Sequence, residues 1–360
     1  MAAVLDRQQD RRQDGPQRVL VLGHAGADGD VCGSSLGLAC ALRERGADVV
    51  VYNEQPYPEA YAWLPGGRDV VCRLDPADRF DVTVVVDAAR PDRLGAHFPD
   101  AARRGTYVWI DHHRIAEMPG DIGYVDLTAA AVGEQIAEVL DALAHPLSAD
   151  VARCLYASLM ADTGGFRYAN TSARALRLAA RLVEAGVDPW QMTEHIYESQ
   201  DEVRVRLLGK ALSSLWLSAC GRVGVVEIHA DDVAALGASD EHVQGLVNHV
   251  RGVKGVEVAL LFREIPRDGG TRVIVRSRGN VDVAPVASSL GALGHKNAAS
   301  FHLGAPIKQA RALVVDAFLA ALPHLSGLSS LAVSGEAREE PRVADKRRAR
   351  SARRHLRPAE

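Results

Sequence analysis

Cysteine is sparse: the five residues, Cys32, Cys40, Cys72, Cys154 and Cys220, are odd in number, scattered, and form no CxxC pair. That excludes a disulfide framework and a thiolate zinc site. Aromatic residues make up only 5% of the chain, too few for a surface built of base-stacking platforms. No uninterrupted apolar run reaches membrane-spanning length, and the opening MAAVLDRQQDRRQDGPQ carries charges without the apolar core of a signal peptide. A basic excess is missing too. With 42 Lys and Arg against 46 Asp and Glu the net charge is −4, so any nucleic-acid contact is local rather than a coat over the whole surface. These absences predict a soluble, cytoplasmic protein with no membrane partner. No repeat of solenoid period is present.

What the chain does have is 360 residues of globular composition, 47% hydrophobic and 24% charged, a length that suits two domains. Arg18–Gly23 (RVLVLG) reads as a buried strand, and Ser34–Arg45 as a helix. Further strands are expected at Asp48–Tyr52, Asp81–Asp87 and Thr106–Asp111. This alternation predicts an α/β fold with a parallel, doubly wound sheet. Apolar spacing then predicts helices at Val132–Ala142, Asp150–Met160 and Ser172–Glu184, with Asp188-Pro189 as a boundary. After a helical connector, strands near 224–228, 256–262 and 271–276 and helices near 239–250, 283–290 and 308–322 predict a second, smaller α/β domain. The expected division is a disordered leader at 1–17, a catalytic domain at 18–186, a connector at 187–217, a second domain at 218–325 and a disordered basic tail at 336–360. That tail holds nine Lys or Arg against five Asp or Glu. It is a solvated end or an electrostatic aid to RNA capture.

Chemistry concentrates at predicted strand ends. The loop GHAGADGDVCGSS (23–35) stands where glycine-rich loops cradle phosphate, yet it has no GxGxxG and no closing Lys-Ser/Thr pair. Instead it carries His24, Asp28 and Asp30. Two carboxylates repel a phosphate, so an intervening divalent cation reconciles the loop with its acids; by itself the segment is equally an Asp-rich turn with a helix cap. Asp87 ends DVTVVVD, a position that also suits a helix cap. Asp111-His112-His113 ends the next strand, where three polar groups are costly to bury without a metal or partners. Asp162 closes a helical pattern at ADTGGF, itself readable as a plain turn. A mixed carboxylate and imidazole set on one sheet edge suits manganese or magnesium, and the reaction class it implies is metal-assisted phosphoester hydrolysis.

Taken in order, HxxxDxD, the strand-end Asp87, DHH and the later DTG resemble the DHH phosphoesterase superfamily. VRSRG (275–279) and LGHKNAAS (293–300) resemble its associated substrate-binding domain. The likeness covers roughly residues 18–322, and the two-domain length is similar to the small branch of bifunctional oligoribonucleases and 3′-phosphoadenosine 5′-phosphate phosphatases. The resemblance implies an active site in the cleft between the domains and two Mn2+ ions, with Mg2+ as the alternative. His24, Asp28 and Asp87 would hold one ion; Asp30, Asp87, His112 and Asp162 would hold the other, with Asp87 bridging. Asp111 would orient a ligand imidazole, and His113 would meet the phosphate or protonate the leaving oxygen. Arg276 and Ser277 of VRSRG, with Gly294 and His295, would grip the substrate.

The family pattern is departed from at Ala27, where Pro is common, at Ala292-Leu293 in a glycine-rich loop, and at Ser300. The implied substrates are short single-stranded RNA, or DNA, oligonucleotides and nucleotides, with a homodimer left open. Alternatives are a phosphodiesterase acting on cyclic or linear dinucleotides and, from another class, a non-catalytic nucleotide- or RNA-binding module.

Overall fold

A computed structural model describes residues 1–5, 15–266, 269–279, 281–292 and 294–325. The first domain contains α1 (Ala2–Leu5), β1 (Arg18–Leu22), α2 (Gly29–Glu44), β2 (Asp48–Tyr52), α3 (Glu59–Ala62), β3 (Val82–Val86), β4 (Thr106–Asp111) and β5 (Ile122–Val125). The helices α4 (Val132–Ala142), α5 (Ala149–Thr163) and α6 (Ala173–Glu184) complete it. Its five strands are all parallel in the order β2-β1-β3-β4-β5. The order reverses between β1 and β3, and in such sheets ligands bind outside the carboxyl ends of the strands at that switch point. His24 follows β1, Asp87 follows β3 and Asp111 ends β4, so the topology alone brings the motif residues to one edge.

The strands form because their side chains are buried on both faces; all five residues of β3 (VTVVV) are inaccessible. Helices α2, α4 and α5 cover one face. Loops carrying Leu74, Phe80 and Leu94 cover the other, over Leu20, Leu22 and the fully buried Trp109. Asp28 caps α2, its side chain accepting from the Asp30 and Val31 amides; Ser148 caps α5, which ends at Gly164 in the left-handed region (φ 59°). The α2–α5 crossing is very close, because a Cβ on Gly33 would lie 2.4 Å from the Cys154 carbonyl oxygen and 2.5 Å from the Ser158 nitrogen.

Next come α7 (Pro189–Thr193), a π-helical turn at Glu194–Glu198, α8 (Glu202–Ser213), β6 (Trp216–Leu217), β7 (Val223–Ile228), α9 (Ala230–Leu236), α10 (Asp240–Val243) and α11 (Val247–Arg251). The chain continues through β8 (Val258–Ile265), β9 (Gly270–Ser277), α12 (Ala284–Ser289), β10 (Gly294–His295), β11 (Ala298–Leu303) and α13 (Ile307–Leu325). The second sheet has the order β10-β11-β9-β8-β7-β6 and is antiparallel except for β7–β8. One of its faces packs on α12 and α13, the other on α8 and α11.

Three expectations are corrected. The leader is not disordered at its start, since α1 packs Leu5 into the first core; residues 6–14 lie outside the described residues. The connector's last two residues are β6, an edge strand of the second sheet. The helix expected over 239–250 is two short ones, separated where Gly245 adopts φ +77°. The basic tail lies outside the described residues. Among the described residues no helix is long and apolar enough to cross a membrane.

Candidate metal centre

The strand ends and two helix termini converge on one acidic cluster. Asp30 lies in the first turn of α2 and Asp162 in the last turn of α5, while His24, Asp87 and His112 follow β1, β3 and β4. Their ligand atoms fall into three groups, each within 4.8 Å: His24, Asp28 and Asp87; Asp30, His112 and Asp162; and Asp87, His112 and His113. Asp87 belongs to two. One of its oxygens, Oδ2, is 4.0 Å from His24 Nε2, and the other, Oδ1, is 3.4 Å from His112 Nε2 and 3.2 Å from His113 Nδ1. Its backbone is in the left-handed region at φ 51°, uncommon outside glycine, which turns the side chain off the end of the strand. No helix begins here, so the capping role is excluded. Asp28 caps α2 through Oδ1, and its Oδ2 lies 3.6 Å from His24 Nε2.

Backbone carbonyls set the imidazoles. His24 Nδ1 lies 3.0 Å from the Ala25 oxygen and His112 Nδ1 lies 3.2 Å from the Ala129 oxygen. A carbonyl only accepts, so Nδ1 carries a proton and Nε2 is the atom turned toward the carboxylates, where it can ligate a cation once its own proton is displaced. His112 Nε2 is 3.3 Å from Asp162 Oδ2 and 3.8 Å from Asp30 Oδ2.

The electrostatics are those of crowded acids. Burial, reinforced by the Asp87 charge, pushes Asp30 up to about 7. Burial and the charges of Asp30, Asp28 and Asp87 raise Asp162 well above the usual carboxylate range. Burial alone would lower His112, but the Asp87 carboxylate beside it and the charges of Asp30 and Asp162 push it up to about 11. A divalent cation relieves this mutual repulsion. The donor set fits one in a further respect: the buried Asp87 Oδ1 has no well-aligned hydrogen-bond donor, only the two imidazoles at 3.2 and 3.4 Å, which leaves it able to coordinate a cation.

Asp111 stands behind the cluster, fully buried. Its Oδ2 accepts from the Ala89 amide (2.7 Å) and the Trp109 indole (3.1 Å), and its Oδ1 from the His113 amide (2.8 Å) and His113 Nδ1 (2.9 Å). The imidazole it orients is therefore His113, not the ligand candidate His112. Against the lowering effect of burial, Asp111 and Asp87 push His113 up to about 10. The ring is one-third exposed, more open than its neighbours.

Sequence reasoning missed the supports of Asp30. Ser158 donates to its Oδ1 (2.5 Å) and itself accepts from the Gly133 amide, while the Val132 amide donates to its Oδ2 (2.8 Å). In the second domain Arg276 is partly buried, one guanidinium nitrogen donating to the Val275 carbonyl, close to Arg251 and Tyr168. The expected substrate role of Ser277 is corrected: its buried hydroxyl donates to the Val281 carbonyl and accepts from Asn297, so it shapes the turn. Gly294 and His295 form β10 opposite Ala299 and Ala298; Leu293 and the His295 side chain lie outside what is described.

Residues 18–159 match the DHH family, N-terminal domain. A bifunctional oligoribonuclease and PAP phosphatase NrnA of Thermus thermophilus is 30% identical over 308 residues, covering 84% of this chain and 89% of that protein. The Bacillus subtilis protein of the same name is 28% identical over 270 residues, covering 72% and 80%. The crystal structure of an exopolyphosphatase-related protein from Bacteroides fragilis superposes with a TM-score of 0.82 at 23% identity, covering 90% of this chain and 98% of that one. Because the similarity runs through both domains and not only through the half that carries the motifs, this chain belongs to the DHH family.

Proposed function

We propose that the protein is a metal-dependent phosphoesterase that hydrolyses short RNA oligonucleotides to mononucleotides and removes a phosphate from 3′-phosphoadenosine 5′-phosphate. The carrying observation is Asp87, a strand-end carboxylate shared by two of the three groups of ligand atoms, with Oδ2 toward His24 and the buried Oδ1 toward His112 and His113. The names borne by the Thermus and Bacillus relatives support the substrate assignment. His24, Asp28 and Asp87 would hold one cation and Asp30, Asp87, His112 and Asp162 the other, with manganese suited to the oxygen-rich donor set with imidazoles. When bound, two such ions supply an activated water and neutralise charge gathering on the phosphate.

The chain's own residues do the rest. Ser158 and the Val132 amide hold Asp30 rigid from behind. Asp111 fixes the His113 ring, and a protonated His113 is placed to give its proton to the leaving oxygen. Arg276, which has no carboxylate partner among the described residues, meets the substrate's terminal phosphate.

Asp87→Ala tests the reading. It should abolish hydrolysis of a labelled pentanucleotide and of the bisphosphate while circular dichroism stays unchanged; persistent manganese-dependent turnover overturns it.

A further inference from the structure

A cavity of 480 Å³ opens beside the His24–Asp28 loop, and both domains wall it. Gly26, Ala27 and Gln55 line it from the first domain, and Arg263, Arg272 and Asp240 from the second. Arg263 and Arg272 are directly paired neighbours on β8 and β9 but differ in what holds them. Arg263 is engaged by Asp240, 2.7 Å away. Arg272 is exposed and has no carboxylate partner among the described residues; its Nε donates to Ser300 Oγ on β11 at 3.2 Å. A guanidinium anchored through Nε presents its two terminal nitrogens as a fork, the geometry that grips two oxygens of one phosphate. Across the cavity the Gly26 and Ala27 amides donate to no acceptor among the described residues. Glu241, the other acid on that wall, is exposed to solvent.

The register of β9 extends the pattern. Arg272, Ile274 and Arg276 alternate with the buried Val273 and Val275 and so share one face. Arg276 lies near Tyr168, in the segment after Asp162, whereas Arg272 lines the cavity with Gly26. One strand thus carries an arginine to each flank of the ligand cluster, about 13 Å apart along the backbone at the usual rise of a strand.

We propose that this cavity receives the phosphodiester one nucleotide beyond the scissile bond, with Arg272 as its principal ligand. The inference rests on the oligonucleotide reading above and adds a specificity determinant to it. A mononucleotide bisphosphate has no group to place there, so Arg272 sets the preference for oligonucleotides over that substrate.

The test compares the full chain with Arg272→Ala and Arg272→Lys. Turnover is measured on a pentanucleotide and on the mononucleotide 3′,5′-bisphosphate, and binding by anisotropy on a 3′-fluorescein phosphorothioate pentanucleotide. Arg272→Ala should lower kcat/KM for the pentanucleotide about tenfold or more relative to the bisphosphate, as expected for losing one charge-assisted contact. Its Kd should rise by a similar factor, and the slope of log Kd against log salt should flatten by about 0.7, one single-strand phosphate contact. Arg272→Lys should restore the slope but not the full affinity. An unchanged Kd and slope, or equal losses on both substrates, overturns the inference. A parent chain that turns over neither substrate overturns the functional reading instead, and the Kd comparison still decides the role of Arg272.

Discussion

Asp111→Asn is the sharpest probe of the site, because it changes no volume and removes no ligand candidate. The native carboxylate offers an acceptor oxygen to each of two pairs of donors, the buried Ala89 N–H and Trp109 Nε1–H on one side and the half-buried His113 N–H and Nδ1–H on the other. An asparagine has one such oxygen; with its NH2 toward His113, Nδ1 can give up its proton and accept, which leaves the His113 backbone N–H without its acceptor. At about 1–3 kcal/mol for a buried donor left unsatisfied, the variant should lose about 1–3 kcal/mol of stability. Urea unfolding at neutral pH reads that loss directly. His113 is released from its orienter at the same time, so kcat on the pentanucleotide should fall about 100-fold, the scale of a mispositioned general acid. KM should change little, since nothing assigned to substrate binding has moved. A variant within about 0.5 kcal/mol of the parent, or with kcat within a factor of two, would refute the proposed role of Asp111.

Three further outcomes follow from the geometry. Gly33→Ala places a methyl carbon against the α5 backbone and should cost about 2 kcal/mol or more, measured by thermal unfolding, with no gain from the added helix propensity. Asp126 is held down to about 2, first by Thr128 and then by Arg174. Asp126→Asn should therefore be less stable than the parent by about 1 kcal/mol at pH 7, after discounting for solvent, and the gap should close as pH falls from about 4 through 2. Titrating manganese into chelator-treated protein should raise Tm in step with occupancy, by about 2.7 kcal/mol of stability at a hundredfold excess over Kd, and Asp87→Ala should not respond.

Much of this was legible in the sequence. The alternation of short Val-rich runs with helical spacing predicted the parallel sheet, and the strand-end positions of Asp87 and Asp111-His112-His113 placed them on one edge before any coordinates. What escaped detection depends on long-range contact. The two groups that hold Asp30, Ser158 and the Val132 amide, stand 128 and 102 residues away, and a serine inside a helix carries no sign that its hydroxyl meets a carboxylate. Strand β5 (IGYV) is only partly covered, so neither a solid apolar run nor clean alternation marks it. Ser277 lay within a substrate-type motif, yet its burial depends on the turn that Asn297 closes. Arg272 reads in sequence as the solvated face of a strand until the other domain is set opposite it.

The close crossing of α2 and α5 carries a consequence for the spacing of the acidic cluster. Asp30 rides on the beginning of one helix and Asp162 on the end of the other, so the gap between their oxygens is inherited from the separation of the two rods. That separation is set where Gly33 lies against the backbone of Cys154 and Ser158, with no side chain to yield between them. A residue with no polar side-chain atom of its own thus sets how far apart two of the clustered carboxylates are carried.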